Sequence, residues 1–447
     1  MPKAKTSKKV LIISYYFPPC GGAGVQRTLK FVKYLPQFGW QPVVLTARNA
    51  DYPAYDPSLL MEVPERMPVY KAWIFEPYSL YRKWTGRPAG EAVDIATLTL
   101  SEAERRQWPE RLAEWVREAF FVPDARIGWF PFALWKGLTV VRREGIKLLY
   151  SSAPPYTCHL IGLFLKRLTG LPWVVDFRDS WIGWLSTPQR RPWLSRRLEF
   201  WMEEMVLGWA DRIVTVSEGI WADLKGRHTW IRDERWQWLP NGYDAEDFQW
   251  AKPQKKDARL TFTYTGSLYG NRHPGALLKA LQEVFKEQPE TRDHIRFRFI
   301  GRIGRTILDE LQSHTWRDVV EVIPYVSHQK CLGYLLATDV SLLIIDDAPV
   351  NRGILTGKLF EYLGAQKPIL ALAPEGEAAN LIRDTNTGIV IPPKAIGKIK
   401  EAIFNYYMDW KKGTLERGDF RKIMEFDRRK LTQKLARILD DVAKGTL

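Results

Sequence analysis

The sequence predicts an α/β protein of two doubly wound, Rossmann-like parallel-sheet domains. Three observations carry this: short continuous apolar runs alternate with helix-period segments, several runs end in glycine-containing turns that open a helix, and one polar stretch separates two such series. In chain order, Val10 to Ser14 is an apolar run suited to a strand buried on both faces. YYFPPCGGAG follows, then a helical pattern through Val25, Leu29, Val32 and Leu35, which makes a βαβ opening. Pro42 to Thr46, Leu148 to Ser151, Trp173 to Asp176 and Ile213 to Val216 supply further strands. Residues 51–128 read as an insertion on the first domain, with many early prolines and then SEAERRQWPERLAEWVREAFF, a charged helical stretch that Pro109 breaks or restarts. WQWLPNGYDAEDFQW, Trp236 to Trp250, reads as a strand closed by a Pro-Asn-Gly turn, and the polar AKPQKKDAR after it is the clearest linker. Beyond it, LTFTYTGSL, IRFRFIG, VVEVIPY, VSLLII and PILAL form a second strand series, with Leu277, Leu281, Val284 and Phe285 marking one face of the clearest helix. The end, DRRKLTQKLARILDDVAK, is helical. The expected organisation is a first domain at 1–240, a second at 258–425 and a closing helix at 426–447.

At 447 residues the chain exceeds what one core usually supports, so two domains of roughly 200 residues each are expected. Lys and Arg number 66 against 51 Asp and Glu, giving a formal net charge of +15, and there are 20 tryptophans. Such a surface suits an anionic partner: a phosphate-bearing ligand, an anionic leaflet or nucleic acid. Cys20, Cys158 and Cys331 are widely separated, without a CxxC pair or a nearby His cluster. This argues against a zinc site or a disulfide framework and for a reducing cytosol. MPKAKTSKK and the short VLIIS run read as a disordered lead-in to the first strand and not as a signal peptide, and no apolar stretch is long enough to cross a bilayer.

The most informative segment is GILTGKLFEYLGAQKP, Gly353 to Pro368. Thr356 is suited to cap a helix, Gly357 lets a ligand approach the backbone, and the first-turn N–H groups present the positive end of the helix dipole beside the Lys358 charge. Leu359, Phe360 and Leu363 fall on the buried stripe, while Glu361 can accept hydrogen bonds from the vicinal hydroxyls of a sugar. A nucleoside diphosphate fits such a site. The alternative is an ordinary capped helix with a surface Lys and Glu.

Other turns follow strands in the same way. Gly21-Gly22-Ala23-Gly24 lacks the dinucleotide GxGxxG spacing and is either a packing turn or room for a diphosphate or an acceptor. In TGSLYGNRHP, Gly266 and Gly270 keep the loop open around Ser267, and Arg272 can grip a pyrophosphate bidentately; convergence with Lys358 is the better reading than a solvated arginine. FIGRIGR places Gly301 where a base or ribose can lie. VVDFRDSW puts Arg178 and Asp179 at a strand exit, where they either orient a donor sugar or acceptor hydroxyl or form a structural ion pair. Asp346 and Asp347 lack a third ligand, so no metal is expected. TPQRRPWLSRRLEFW, Thr187 to Trp201, interleaves Arg190, Arg191, Arg196 and Arg197 with Trp193 and Trp201. That composition suits a membrane interface, or a helix whose tryptophans pack on the core.

Together these motifs resemble the GT-B-fold glycosyltransferases of the retaining, family-four type, which assemble bacterial surface polysaccharides. YYFPPCGGAGVQR, SSAPPYTCHLIG, PWVVDFRDSW, VSEGI, PNGYDAEDF, TGSLYG, FIGRIG and GKLFEYLGAQKPIL carry the likeness over nearly the whole length. The resemblance implies two facing domains with the C-terminal helix returning to the first. It implies a UDP- or GDP-linked sugar donor on the second domain, held through Gly266, Ser267, Gly301, Thr356, Gly357, Leu359 and Glu361, and an acceptor on the first, near Gly21 and Gly22. Catalysis then needs no metal or other cofactor: Arg272 and Lys358 neutralise the leaving phosphates, and Arg178 and Asp179 act at the cleft. Glu361 matches the second glutamate of the family's Glu-x7-Glu pattern, which holds the donor ribose. Gly353 stands where the first glutamate belongs, and Arg178 replaces the family's histidine before the aspartate. The expected protein is a cytoplasmic transferase at the inner face of the plasma membrane. It adds sugar to a growing lipid-linked or polysaccharide acceptor in cell-envelope polysaccharide biosynthesis and does not bind nucleic acid. One rival is a GT-B nucleotide-sugar epimerase, which releases free nucleotide without an acceptor. The other is a basic nucleic-acid-binding protein, against which the sequence offers no recognition module and no single basic stripe with stacking aromatics.

Overall fold

Both faces of the central apolar runs are covered, which is why those runs need no polar side. Leu11 and Ile13 join one buried cluster, while their neighbours Val10 and Ile12 point into another. The computed structural model describes residues 8–48, 50, 52, 54–75, 122–183, 192–270, 272–416 and 418–445. The helical stretch read at SEAERRQWPERLAEWVREAFF lies outside the described residues, as do Arg190 and Arg191.

The first unit runs β1 Lys8–Ile13, α1 Ala23–Tyr34, β2 Trp40–Ala47, β3 Val69–Ala72, α2 Phe130–Glu144, β4 Leu148–Ala153, α3 Thr157–Thr169, β5 Trp173–Phe177, α4 Trp193–Trp209, β6 Arg212–Thr215, α5 Glu218–Arg227 and β7 Trp236–Trp238. Its sheet has the order β3-β2-β1-β4-β5-β6-β7, with parallel pairing throughout. β3 is a short edge strand within the stretch that the sequence suggested as an insertion.

The second unit runs α6 Ala245–Trp250, β8 Leu260–Thr265, α7 Gly275–Glu287, β9 Ile295–Ile300, α8 Arg305–Leu311, β10 Val320–Ile323, α9 His328–Leu336, β11 Val340–Ile344, α10 Gly357–Ala365, β12 Ile369–Leu372, α11 Glu377–Asp384, β13 Gly388–Ile391 and α12 Ile396–Lys412. Its parallel sheet has the order β10-β9-β8-β11-β12-β13. The chain passes from one unit to the other at Pro240 and Asn241. This lies ahead of the polar stretch at 251–259, because Tyr243, Phe248 and Ala251 already pack into the second unit's core.

The last helix, α13 Arg428–Lys444, belongs with the first unit from Arg429 onward. Leu431, Leu435, Leu439 and Val442 pack with Val10, Val44, Val174 and Val214, and Asp440 accepts from Lys8 Nζ at 2.8 Å and Trp40 Nε1 at 3.0 Å. In each sheet the strand order reverses once, between β1 and β4 and between β8 and β11. Doubly wound sheets open a ligand crevice at such points, outside the carboxyl ends of the strands.

Arg27 of α1 and Asp176 of β5 form a fully buried pair. Nε donates to Oδ2 at 2.9 Å and one terminal nitrogen to Oδ1 at 2.8 Å, while the guanidinium also donates to the carbonyls of Leu239 and Pro240. Burial alone would push the Asp176 carboxyl up; Arg27, with Tyr150 and Ser152, holds it below the ordinary carboxylate range. Its contribution is therefore present above about pH 4 and lost as the pH falls through the depressed folded-state value. Arg27→Met leaves that carboxylate uncompensated and should cost about 3–5 kcal/mol near pH 7. Urea unfolding followed by tryptophan fluorescence checks this, and a gap from wild type that does not narrow at low pH would contradict an ionised Asp176.

Candidate functional site

In the second sheet β8 and β11 pair only at Val340 with Phe262 and Ser341 with Thr263. Beyond that register they separate, and the hydroxyl of Tyr362, from α10, bridges them. It accepts from the Thr265 N–H at 2.9 Å and donates to the Leu342 carbonyl at 3.1 Å. The same helix begins with Gly357 and Lys358. Lys358 Nζ donates to the Tyr264 hydroxyl at 2.7 Å and sits 4.2 Å from the centroid of its ring, and that hydroxyl donates onward to the Ser267 carbonyl at 2.9 Å. Two glycines make room for this arrangement. Gly266 has φ +113°, and a Cβ there would come within 2.8 Å of Lys358 Nζ; Gly301 has φ +134°, and its Cβ would meet the Gly266 carbonyl oxygen at 2.3 Å. Gly301 thus serves the close packing of two loops, which are also tied by Leu268 N–H to Arg302 at 2.9 Å and Gly304 N–H to Leu268 at 2.8 Å.

The electrostatics of this edge are unbalanced. Burial, then the Arg272 guanidinium, pulls the Lys358 ammonium well below the ordinary lysine value, with Glu361 opposing. Arg272 lies 5.9 Å from the Tyr269 ring centroid, and its Nε is buried without a hydrogen-bond partner. Among the described residues neither cation forms a salt bridge. Thr356 occupies the N-cap position of α10 with extended backbone, yet its side chain makes no capping bond and Oγ1 is buried without a partner. The cap expected from the sequence is therefore not made. A helix N-terminus, an orphaned hydroxyl and two cations suit an anion with several acceptor oxygens. Leu359 differs from Thr356, Gly357 and Lys358 before it: its side chain is fully buried in the core and its N–H donates to the Thr356 carbonyl at 3.1 Å.

Glu361, one turn into α10, accepts from His328 Nε2 at 3.0 Å, and His328 Nδ1 lies 3.9 Å from Asp247 Oδ2. Sequence reasoning missed His328, because a lone histidine at a helix start carries no spacing signal. Asp346 and Asp347 lie apart from this set, with Asp347 3.4 Å from Lys394.

At the first unit's reversal point Arg178 donates from Nε to the Ala153 carbonyl at 3.2 Å and from its terminal nitrogens to the carbonyls of Gly24 and Pro154. It pins the glycine turn to the exit of β4. The ion pair with Asp179 considered from the sequence is not formed. Burial pushes the Asp179 carboxyl up, with Arg178 opposing. In the same turn Gly21 donates to the Ala54 carbonyl at 2.9 Å, and Gly22 has φ +87° with open space around it.

α4 is inverted relative to an ordinary surface helix. Ser195, Glu199, Glu203, Val206 and Leu207 face inward, whereas Trp193 (68% exposed), Trp201 (54%), Leu194 and Phe200 face outward beside exposed Arg196 and Arg197. The tryptophans do not pack on the core. Glu203 is accommodated by Arg227 Nε at 3.0 Å and His228 Nε2 at 2.9 Å. Phe164 and Leu168 of α3 and Phe132 and Trp135 of α2 are also exposed, and α3 packs against both α4 and α2. Among the described residues no helix is long and apolar enough to cross a membrane.

The sequence matches two family models, Glycosyltransferase Family 4 over residues 78–247 and Glycosyl transferases group 1 over residues 259–409. No curated protein matches it. Three solved structures show the likeness in fold. Sucrose-phosphate synthase from Thermosynechococcus elongatus is 12% identical with a TM-score of 0.63, covering 98% of this chain and 100% of its own. The Anabaena protein HepE, in complex with UDP-glucose, is 14% identical with a TM-score of 0.61, covering 97% and 99%. WaaG, a glycosyltransferase involved in lipopolysaccharide biosynthesis, is 15% identical with a TM-score of 0.56, covering 96% and 99%. With two glycosyltransferase models spanning most of its length and a two-sheet fold shared with these structures, the chain belongs to the GT-B glycosyltransferases.

Proposed function

We propose that the protein transfers a sugar from a UDP- or GDP-linked donor, bound by the second unit, to a growing lipid-linked or polysaccharide acceptor, with retention at the anomeric carbon and without a metal ion. The observation that carries this is Lys358, seated on the Tyr264 hydroxyl at the N-terminus of α10 with the Arg272 charge acting on it, neither cation forming a salt bridge among the described residues. A diphosphate supplies the missing negative charge. The fold shared with a UDP-glucose complex supports the nucleotide-sugar class.

As the bond between the anomeric carbon and the phosphate oxygen breaks, negative charge grows on the leaving diphosphate. In this reading Lys358, Arg272 and the N–H groups of Gly357 and Lys358 stabilise it, in a half-buried setting where such contacts are stronger than in water. Glu361 accepts from the ribose hydroxyls. The acceptor hydroxyl attacks from the face the diphosphate leaves, and a phosphate oxygen takes its proton. Calorimetric titration of EDTA-treated protein should show micromolar binding of UDP or GDP. Lys358→Ala or Arg272→Ala should each weaken it at least tenfold, since a charge-assisted hydrogen bond is worth about 1.5–3 kcal/mol. Binding that requires added magnesium, or that both variants leave unchanged, would contradict the proposal.

Peripheral contact with the anionic inner face of the plasma membrane is the second part of the reading. It is supported by the outward tryptophans of α4 beside Arg196 and Arg197, a pairing of indole and guanidinium suited to headgroup depth. Each basic residue near such a surface contributes about 1 kcal/mol. A Trp193→Ser, Trp201→Ser, Arg196→Ser, Arg197→Ser variant should therefore co-sediment with phosphatidylglycerol vesicles at least tenfold more weakly than wild type, and equal co-sedimentation would contradict this contact.

A further inference from the structure

We propose that His328 is the positioning residue for the ribose-holding carboxylate, and that through it the second unit selects ribonucleotides over their 2′-deoxy counterparts. This rests on the nucleotide reading above and deepens it. Glu361 lies on a helix turn with a flexible side chain, and fixing such a chain costs rotamer entropy each time a ligand binds. Here the cost is met before binding. His328 Nε2 is 3.0 Å from Glu361 Oε1, and because a carboxylate only accepts, the ring proton must sit on Nε2. That contact commits Oε1 and fixes the plane of the carboxylate, so a ligand meets a preset acceptor.

The histidine is itself constrained. It is the first residue of α9, which packs against both α6 and α10 and is anchored by buried Leu332 and Leu335. Behind the ring, the buried carboxylate of Asp247 on α6 stands 3.9 Å from Nδ1. At that distance it acts on the ring electrostatically and not as a hydrogen-bond partner of Nδ1. Charged and titratable groups around this relay include Asp247 from α6 with Asp244 beside it, Glu361 and, one turn earlier, Lys358 from α10, and Cys331 on α9 itself, whose thiol burial pushes up with Glu361 adding to the effect. A glutamate that was merely a solvated surface group would have no need of a histidine held from a second helix.

The test compares whichever nucleoside diphosphate binds with its 2′-deoxy form, by calorimetry, on wild type, His328→Ala, His328→Gln, Glu361→Ala and the His328→Ala/Glu361→Ala double variant. Wild type should prefer the ribonucleotide at least tenfold. His328→Ala should lose most of that preference while keeping its affinity for the deoxy form, and His328→Gln, whose amide N–H can stand in for Nε2–H, should restore most of it. The double variant should be no worse than Glu361→Ala alone, the signature of one residue acting through the other. An unchanged preference in His328→Ala, or equal weakening of both nucleotides, would overturn the proposal while leaving the nucleotide reading intact. A wild type that binds neither nucleotide would overturn both.

Discussion

The second unit is organised around a charge it does not balance. Lys358 is pressed against the face and hydroxyl of Tyr264 with Arg272 beside it, and burial makes that proximity costly. The surrounding structure holds it there. β8 and β11 part after two residue pairs, Tyr362 bridges the parting strands with its hydroxyl, and α10 is thereby seated with Lys358 at the opening. Gly266 and Gly301 lack side chains because a Cβ at either would collide with Lys358 or with the neighbouring loop. A protein tolerates this kind of local strain where the remaining core over-determines the fold.

The first unit works the other way, with several of its buried charges satisfied internally. Arg27 and Asp176 are paired deep in the sheet, Arg178 spends its guanidinium on three carbonyls, and Glu203 is held by Arg227 and His228. These contacts fix the glycine turn at the exit of β1 and allow α4 to face its polar stripe inward. The unit then presents aromatic and basic side chains outward, and Asp179 stays outside the arginine's hydrogen bonds.

Most of the fold was legible because buried parallel strands announce themselves as continuous apolar runs, and every run read as a strand became one. β3 and β13 were not read: four residues at a sheet edge carry too little apolar signal. Lys358, Arg272, Gly266 and Glu361 were singled out as a candidate site from loop and helix-start patterns. Their supports were not. Tyr264 and Tyr362 look like ordinary core aromatics in sequence, and only the geometry shows that their hydroxyls hold the site together. Thr356 has the residue type of a cap, yet its hydroxyl points elsewhere, and the Arg-Asp sequence suggested an ion pair that the backbone carbonyls outcompete. The inward glutamates of α4 reverse the usual rule that apolar positions mark the buried stripe.

The most direct test of this account is the ionisation of Lys358 itself, followed through the side-chain carbon resonances of 13C-lysine-labelled protein with Lys358→Arg as the assignment reference. In the free protein the account predicts titration well below the ordinary lysine range. With a nucleoside diphosphate bound it predicts a return toward that range, with proton uptake on binding and affinity that falls as the pH rises past the free-protein value. A Lys358 that titrates as an ordinary surface lysine, and is unmoved by diphosphate, would contradict it.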